Sequence, residues 1–227
     1  MDYNNDGLQD ILAGDSRGNV TVFLNVGTKQ EPRLAAGKRV EADGKPITAS
    51  RKVYKKTPEG RYVVDRVIVG SHKLAESYTK LHMADWDADG LDDLLVGHTT
   101  TVLFYKNAGT KSEPRFLAPV ALKPPEGKFP TRPSPFVTDF DGDGRKDLLT
   151  GVERRQVLFY RNVGTAATPQ LAKGAPLTLP GEEIAKSYRW FLHVADWNGD
   201  GKDDLLIGTF YSAKKPAGGN VWLFLRK

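Results

Sequence analysis

DWDADGLDDLL, residues 85–95, places five carboxylates within nine positions and then becomes aliphatic. Its pattern is Asp, an aromatic residue, Asp or Asn, any residue, Asp, Gly, two variable residues, Asp and two aliphatic residues. Three further copies occur, which are DYNNDGLQDIL from Asp2, DFDGDGRKDLL from Asp139 and DWNGDGKDDLL from Asp196. Four copies of so long a pattern indicate a repeat protein.

The spacing of the acidic residues is typical of a calcium-binding loop. Oxygen-bearing side chains stand at positions 1, 3, 5 and 9, and the Gly at position 6 permits a sharp turn. Ca²⁺ takes six to eight oxygen ligands at roughly 2.3–2.6 Å. Without a cation, carboxylates this close would repel one another. The pattern therefore predicts one Ca²⁺ in each loop, or about four in the chain.

The loop nevertheless differs from an EF-hand. Position 12, where an EF-hand carries a bidentate Glu, is Ala13, Val96, Thr150 or Ile207. After position 9 the chain continues as ILAG, LLVG, LLTG or LLIG. These segments are too short and too aliphatic for an amphipathic helix and are typical of buried strands. Each loop is therefore predicted to join two strands of a hairpin.

The remainder of each repeat also has the composition of strands. The segments VTVFLNVGT, TVLFYKNAGT and QVLFYRNVGT follow the loops and are rich in β-branched and aromatic residues. Each leads into a Pro-containing segment, EPRL, EPRF or TPQL, which is typical of an outer strand. With the strand before the loop, each repeat is predicted to have about four short strands, the number in one propeller blade.

These loops, repeated at blade spacing, resemble the FG-GAP/VCBS repeats of integrin α-subunit propellers, bacterial surface proteins, fungal lectins and polysaccharide lyases. The resemblance implies an all-β fold, a β-propeller of about four four-stranded blades with a calcium loop between the first two strands of each. It also implies side-chain ligands at positions 1, 3, 5 and 9 and a backbone carbonyl ligand at position 7. The metal ligands expected on this basis are Asp2, Asn4, Asp6, Leu8, Asp10, Asp85, Asp87, Asp89, Leu91, Asp93, Asp139, Asp141, Asp143, Arg145, Asp147, Asp196, Asn198, Asp200, Lys202 and Asp204.

The repeat lengths indicate one domain with an insertion in the first repeat. Asp2 and Asp85 are 83 residues apart, whereas the next two intervals are 54 and 57 residues. The surplus, at about residues 40–70, carries Asp-Gly and Pro-Glu-Gly turn signals between β-rich runs and predicts an extra hairpin on the first blade. The alternative is a whole degenerate blade, which would be short. The repeats are expected at approximately 1–80, 81–134, 135–191 and 192–227.

The two terminal repeats are incomplete in this pattern. The first copy starts without the strand that precedes the other loops, and the last stops before its outer strand. Propellers avoid exposed strand edges by closing into a ring. We expect the chain to be a piece of a larger propeller, and the alternative is a homodimer in which two chains close one ring.

Composition and charge indicate the environment and the kind of partner. The chain has no Cys, and no run approaches the ~18 apolar residues of a membrane helix, so no membrane insertion is expected. Calcium is plentiful outside the cytoplasm, which favours a secreted, cell-surface or periplasmic location. The net charge is +5 despite the acidic loops, so the remaining surface is basic. This favours an acidic glycan or protein partner over nucleic acid, since no stacking platform accompanies the Lys and Arg residues. An ordinary solvated surface is the alternative.

Three functional classes fit the sequence. We favour a non-catalytic module that binds a glycan or protein, with calcium in a structural role, because no nucleophile elbow, zinc protease motif or phosphate loop occurs. The alternatives are a polysaccharide lyase propeller, which would release an unsaturated product detectable by absorbance, and a purely structural scaffold. The aromatic residues at position 2 are predicted to pack between blades, because every repeat has one. His82 and His193, at equivalent positions three residues before their loops, are also predicted to pack in the core, since Phe136 replaces His in the third repeat.

Overall fold

The computed structural model describes residues 1–68, 70–71, 78–153, 155–210 and 218–226. This part of the chain consists of strands and loops with one short 3-10 helix, Ile184–Lys186, which confirms the all-β prediction. The strands are β1 (Ile11–Gly14), β2 (Val20–Phe23), β3 (Lys38–Arg39), β4 (Glu41–Ala42), β5 (Lys45–Pro46), β6 (Arg51–Lys56), β7 (Tyr62–Ile68), β8 (Lys80–Ala84), β9 (Asp93–His98), β10 (Thr101–Tyr105), β11 (Val120–Ala121), β12 (Ser134–Thr138), β13 (Asp147–Gly151), β14 (Val157–Tyr160), β15 (Ala175–Pro176), β16 (Tyr188–Ala195), β17 (Asp204–Phe210) and β18 (Val221–Phe224).

The strands form four antiparallel meanders that follow chain order. Sheet one contains β1–β3, sheet two β8–β11, sheet three β12–β15 and sheet four β16–β18. Every neighbouring pair within these sheets is antiparallel. Among the described strands, no sheet closes on itself. Sheets two and three have four strands, and sheets one and four have three.

Successive sheets pack face to face, which explains the aliphatic run after each loop. On β9, Leu94 and Val96 face a core shared with sheet one, whereas Leu95 faces a core shared with sheet three. On β13, Leu148 and Leu149 divide in the same way between sheets two and four. These strands are buried on both sides, so alternating polar residues are excluded from them. Each fully buried aliphatic side chain contributes about 1.5–3 kcal/mol.

The Gly at the end of this run allows the sheets to approach closely. A Cβ on Gly97 would lie 2.1 Å from the carbonyl oxygen of Pro133, and one on Gly14 would lie 2.4 Å from that of Thr79. In both cases the neighbour leads into the first strand of the next sheet. Gly208 of sheet four has no such neighbour among the described residues, where the nearest contact of a Cβ would be Phe191 at 3.8 Å.

The first strands of sheets two, three and four lie next to one another. Strand β12 contacts both β8 and β16. The Phe136 ring on β12 lies between two imidazoles, with its centroid 4.0 Å from that of His82 and 5.2 Å from that of His193. These three residues each stand three positions before a loop, so equivalent positions of the repeats meet. His82 is half-buried and stacks on Phe136, so the predicted packing is confirmed for His82. His193 contacts the edge of the Phe136 ring but is exposed, so the prediction of core packing is wrong for His193.

The surplus segment of the first repeat folds into two hairpins, β4–β5 and β6–β7. Ile47 and Ala49, which follow the first hairpin, are buried in the core between sheets one and two. The second hairpin exposes Tyr54 and Tyr62. Val69 and residues 72–77, which the expected first repeat also includes, lie outside the described residues.

Candidate metal centre

The four acidic loops lie beside one another in adjacent pairs. They are loop one (2–10), loop two (85–93), loop three (139–147) and loop four (196–204), and the last three join the first two strands of their sheets. Asp2 of loop one and Gly90 of loop two line one cavity, while Asp141 of loop three and Lys202 of loop four line another. Loops one and two are therefore neighbours, and so are loops three and four.

The first Asp of each loop holds the turn together. In loop two, the Asp85 carboxylate accepts hydrogen bonds from the backbone N–H of Asp89 at 3.0 Å and of Gly90 at 2.9 Å. Equivalent bonds reach Asp2, Asp139 and Asp196 in the other loops. Gly90 has φ of +86°, a conformation that favours glycine, so the Gly at position 6 is required by the turn.

The Asp at position 9 connects the loop to the end of the hairpin that follows it. In loop two, Asp93 is fully buried and accepts the N–H of Trp86 at 3.1 Å and that of Asn107 at 2.8 Å. Asp10, Asp147 and Asp204 make the same pair of bonds in their own repeats. This carboxylate therefore fastens the start of the loop to the end of the hairpin that follows it.

Asn107 continues this connection into the outer part of the repeat. Its side-chain oxygen accepts the N–H of Gly109 and of Arg115, at 2.9 and 3.0 Å. Asn25 and Asn162 do the same in the first and third repeats. The repeated Asn-x-Gly-Thr turn is thus explained by backbone hydrogen bonding.

Two loops bring three carboxylates close enough to share one cation. Oxygens of Asp85, Asp87 and Asp89 lie within 4.8 Å of one another, and so do oxygens of Asp139, Asp141 and Asp147. Both groups consist of residues that the sequence predicts as ligands. In loop two the fourth predicted side chain, Asp93, lies outside the group, and in loop three the same is true of Asp143.

Unpartnered oxygens at position 3 show that these loops fit a hard cation. Asn4 Oδ1 and Asp87 Oδ1 are buried and have no hydrogen-bond partner among the described residues. A buried polar atom left without a partner costs about 1–3 kcal/mol. A cation held by the neighbouring carboxylates would satisfy these oxygens. Oxygen donors of this kind are those preferred by Ca²⁺ and Mg²⁺.

A basic side chain enters each of the two loops that have Asp at position 3. The Lys106 ammonium contacts Asp87 and lies 2.6 Å from Asp89 Oδ2. The Arg161 guanidinium lies 2.6 Å from Asp141 and 3.0 Å from Asp143. Each base is the residue immediately before the Asn of the following turn.

The other two loops balance their charge differently. Position 3 is the neutral Asn4 or Asn198, and the residue before the turn position is Leu24 or Leu225. Loops two and three each have four predicted acidic ligands, which pair with Lys106 in loop two and with Arg145 and Arg161 in loop three. Loops one and four each have three predicted acidic ligands, and among the described residues no base forms an ion pair with them. Sequence analysis missed this relationship, although the paired changes at the two positions are a visible signal of it.

Burial and charge shift the acidic groups in opposite directions. Burial, with the nearby Asp87 and Asp89 charges, raises the pKa of Asp93 to about 7. The hydrogen bond from Lys106 lowers the pKa of Asp89. Burial also raises the pKa of Asp147, with a further contribution from Asp141. The buried carboxylates are therefore costly to ionise without a positive charge beside them, which is the property of a cation cage.

The aromatic residues at position 2 follow the prediction of core packing except in the last repeat. Trp86 is buried between sheets two and three, and Tyr3 and Phe140 pack against the other two cores. Trp197 is 62 % exposed, so the prediction is wrong there. The reason is that each such ring packs toward the next sheet, and no described strand covers that side of sheet four.

Comparison with protein families identifies the repeats. The family model for the FG-GAP-like repeat matches residues 85–150 and 139–207, which together make up more than half of the chain. The chain belongs to the FG-GAP-like repeat family. Loop one lies outside the matched residues of this FG-GAP-like repeat protein but has the same hydrogen bonds at positions 1 and 9.

No curated protein matched the chain in the search. Within the described part of this FG-GAP-like repeat protein, no helix is sufficiently long and apolar to span a membrane.

Proposed function

We propose that the chain is a calcium-stabilised β-propeller module that binds a glycan or a protein without catalysing a reaction. The metal assignment is carried by the three clustered carboxylates in each of loops two and three. In loop two, one of these carboxylates also has an unpartnered buried oxygen, Asp87 Oδ1. Membership of the FG-GAP-like repeat family supports an interaction module.

Each loop would hold one Ca²⁺ through its own residues. The proposed side-chain ligands are the oxygens at positions 1, 3, 5 and 9, and the backbone carbonyl at position 7 belongs to Leu8, Leu91, Arg145 or Lys202. A bound divalent cation would neutralise the carboxylates that the turn hydrogen bonds already gather. Its role would be structural, since position 9 is tied to the backbone of the same sheet.

The propeller assignment is supported by how the sheets are arranged. Four consecutive meanders pack face to face, and the first strands of sheets two, three and four lie side by side, as the inner strands of blades do. The blades would correspond approximately to residues 1–80, 81–134, 135–191 and 192–227, with the hairpins at about 40–70 as an insertion.

Both outer sheets have a strand edge without a described partner. Strand β1 pairs only with β2, whereas the equivalent β9 pairs on both sides. Strand β18 pairs only with β17, whereas the equivalent β14 pairs on both sides. Exposed edges are avoided in folded β proteins, so we propose that further strands cover them, from a longer chain or from a second copy in a homodimer. Light scattering separates these cases, since a homodimer has a mass near twice 25.0 kDa.

A secreted, cell-surface or periplasmic location follows from the proposed metal. Sensor-type and weaker calcium loops fill at the calcium concentrations found outside the cytoplasm. Four Ca²⁺-stabilised loops would also compensate for the absence of disulfides, since the chain has no Cys.

Calorimetric titration of the chelator-treated chain with CaCl₂ tests the metal assignment. We expect about four sites and the loss of one site in Asp89→Ala and in Asp143→Ala. The exposed neighbour Asp92, at position 8, provides the matched control, and Asp92→Ala should keep all sites. Absence of binding heat together with an unchanged melting temperature in calcium would disprove the proposal.

A further inference from the structure

A second group of charged side chains lies at the opposite ends of the first strands from the acidic loops. Lys80 opens β8, Arg132 stands just before β12, and Arg189 is near the start of β16, whereas the loops follow the last residues of these strands. Together they form the basic pocket, a cavity of about 200 Å³ lined by Tyr78, Lys80, Arg132, Glu153, Arg189, Phe191 and Phe210.

Lys80 is a buried cation at the base of this pocket. Its side chain is enclosed, and its ammonium donates a hydrogen bond to the backbone carbonyl of Arg132 at 2.6 Å. No carboxylate of the described residues lies within 4.0 Å of this nitrogen. Burial lowers the pKa of Lys80 to about 8; the Glu153 charge acts against this shift, and the charges of Arg132 and Arg189 act with it. An anion that reached the ammonium would relieve the cost of burying it.

The two arginines are held by a single carboxylate. Arg132 donates to one oxygen of Glu153 at 3.1 Å, and Arg189 donates to the other at 3.3 Å. Three cations thus face one anion, which leaves the basic pocket with a positive excess. Both arginine guanidinium groups are partly exposed, so further N–H donors remain available on each of them.

Aromatic rings form the walls around these charges. The Lys80 ammonium lies 4.5 Å from the centre of the Phe191 ring, and the Arg189 guanidinium lies 5.1 Å from that of Phe210. The Arg132 guanidinium lies 4.8 Å from the centre of the Tyr78 ring. Phe191 is half exposed, so it offers an apolar face next to the buried charge. Such a surface suits the C–H face of a sugar ring.

The basic pocket occupies equivalent positions of three repeats, yet its residues differ between them. Seven positions before the loops stand Tyr78, Arg132 and Arg189, and five positions before them stand Lys80, Ser134 and Phe191. In the loops, by contrast, the same positions carry nearly the same residues in all repeats. Positions that brace the fold are therefore repeated, whereas these positions are specialised.

The backbone at the pocket is also unusual. Arg132 and Arg189 both have φ of +58°, a left-handed conformation that non-glycine residues rarely adopt. Such a conformation is strained, and it persists only where the surrounding structure fixes it. Here Arg132 donates its N–H to Thr99 and Arg189 donates its N–H to Glu153, so the strand ends hold both side chains toward the cavity.

We infer that the basic pocket binds one uronic acid residue of an acidic glycan, with its carboxylate on Lys80 and the arginines and its ring face on Phe191. The inference rests on the proposed binding function and names its ligand class. The cavity is smaller than the roughly 300–1,000 Å³ of drug-sized sites, so it suits a single ring. Glu153 favours a sugar over an aromatic acid or a phosphate, because it can accept hydrogen bonds from hydroxyl groups and would repel a dianion.

Titration calorimetry of the full chain in saturating calcium, with oligogalacturonate and oligoglucuronate as probes, tests the inference. At least one of them should bind, and its neutral methyl ester should bind at least tenfold more weakly, because the charge-assisted contacts of the carboxylate are lost. Lys80→Met should weaken binding by a similar factor, whereas Lys128→Met, which removes an exposed lysine elsewhere, should leave it unchanged. Phe191→Ala, a second variant at the surface of the pocket, should also weaken binding.

Three results would overturn the assignment. The chain could bind the uronate oligomer and its methyl ester with equal affinity, or both Lys80→Met and Phe191→Ala could bind the oligomer as tightly as the unsubstituted chain does. The third such result is that neither uronate oligomer binds at millimolar concentration. Binding of an acidic peptide but of neither uronate oligomer would replace the glycan by a protein partner. These outcomes are separate from failure of the proposed function. If a glycan or protein binds the Lys80→Met variant with unchanged affinity, the proposed binding function stands and only the assignment of the ligand to this pocket is wrong.

Discussion

The Lys106 ammonium lies 2.6 Å from Asp89 Oδ2 and also contacts Asp87, so it stands among the carboxylates of loop two. It is contributed by the residue after β10, and Arg161 holds the same position in loop three. In loops one and four that position is Leu, and one acidic ligand is replaced by Asn. The repeats therefore carry two versions of one acidic site: one has four acidic ligands and a base after the third strand of the sheet, and the other has three acidic ligands and Leu at that position.

Removal of this base should strengthen calcium binding. Lys106→Met leaves four acidic groups without their internal counter-ion, so we expect the Kd of loop two for Ca²⁺ to fall about tenfold at low ionic strength, consistent with a gain of about 1–2 kcal/mol. The same variant should be less stable in chelator, since the carboxylates then repel one another. Calorimetric titration measures the first effect, with Lys128→Met as control. An unchanged or weaker Kd would show that Lys106 does not compete with the cation.

The buried Asp at position 9 should be essential whether or not metal is bound. Asp93→Asn puts an amide N–H against one of two backbone N–H donors, from Trp86 and Asn107, so we expect a loss of about 2–3 kcal/mol in unfolding free energy. The adjacent, exposed Asp92→Asn should change stability by less than about 0.5 kcal/mol. Urea unfolding in chelator provides both values. Similar stabilities for the two variants would refute the bracing role of Asp93.

Two glycines at equivalent positions should respond differently to a methyl group. Gly97→Ala would press a Cβ against the Pro133 carbonyl between sheets two and three, so we expect a destabilisation of about 1–3 kcal/mol or more. Gly208→Ala meets only an ordinary contact with Phe191 and should cost less than about 1 kcal/mol. Thermal unfolding of the two variants compares them directly. Equal losses of stability in the two variants would mean that the close approach of the Pro133 carbonyl does not exclude a side chain at residue 97.

The stacked His82 should make stability depend on acidic pH. Burial lowers its pKa to about 4, with a smaller contribution from His193. The folded state therefore binds fewer protons than the unfolded state between about pH 4 and 6.5, and stability falls as the pH drops through this interval. In His82→Phe, which copies Phe136, this loss should shrink by about 2 kcal/mol. Urea unfolding at pH 7 and pH 4 measures the difference. Identical pH dependence in the two proteins would contradict the assignment.

The sequence predicts those parts of the fold that depend on local pattern. The loops, the buried strand after each loop and the paired packing of His82 and Phe136 follow from residue types repeated at fixed spacing. The contact between Lys106 and Asp89 spans 17 residues and depends on how the hairpin is paired, so the motif alone does not reveal it. The exposure of Trp197 depends on whether another sheet covers it, which no local pattern specifies.

The basic pocket was invisible for the same reason. Lys80 and Arg132 are 52 residues apart, and they meet only because the first strands of adjacent sheets lie side by side. Their positions show no shared residue type, since the pocket depends on differences between repeats. A search for divergent residues at equivalent repeat positions would have found them.

The most direct test of the central claim is the melting temperature of the intact chain in excess CaCl₂ and in excess EGTA. If the loops hold structural Ca²⁺, saturating calcium at about one hundred times the Kd stabilises by about 2.7 kcal/mol for each site, which raises the melting temperature by at least about 5 °C. The shift should be smaller for Asp89→Ala. The same melting temperature in both solutions would contradict the account.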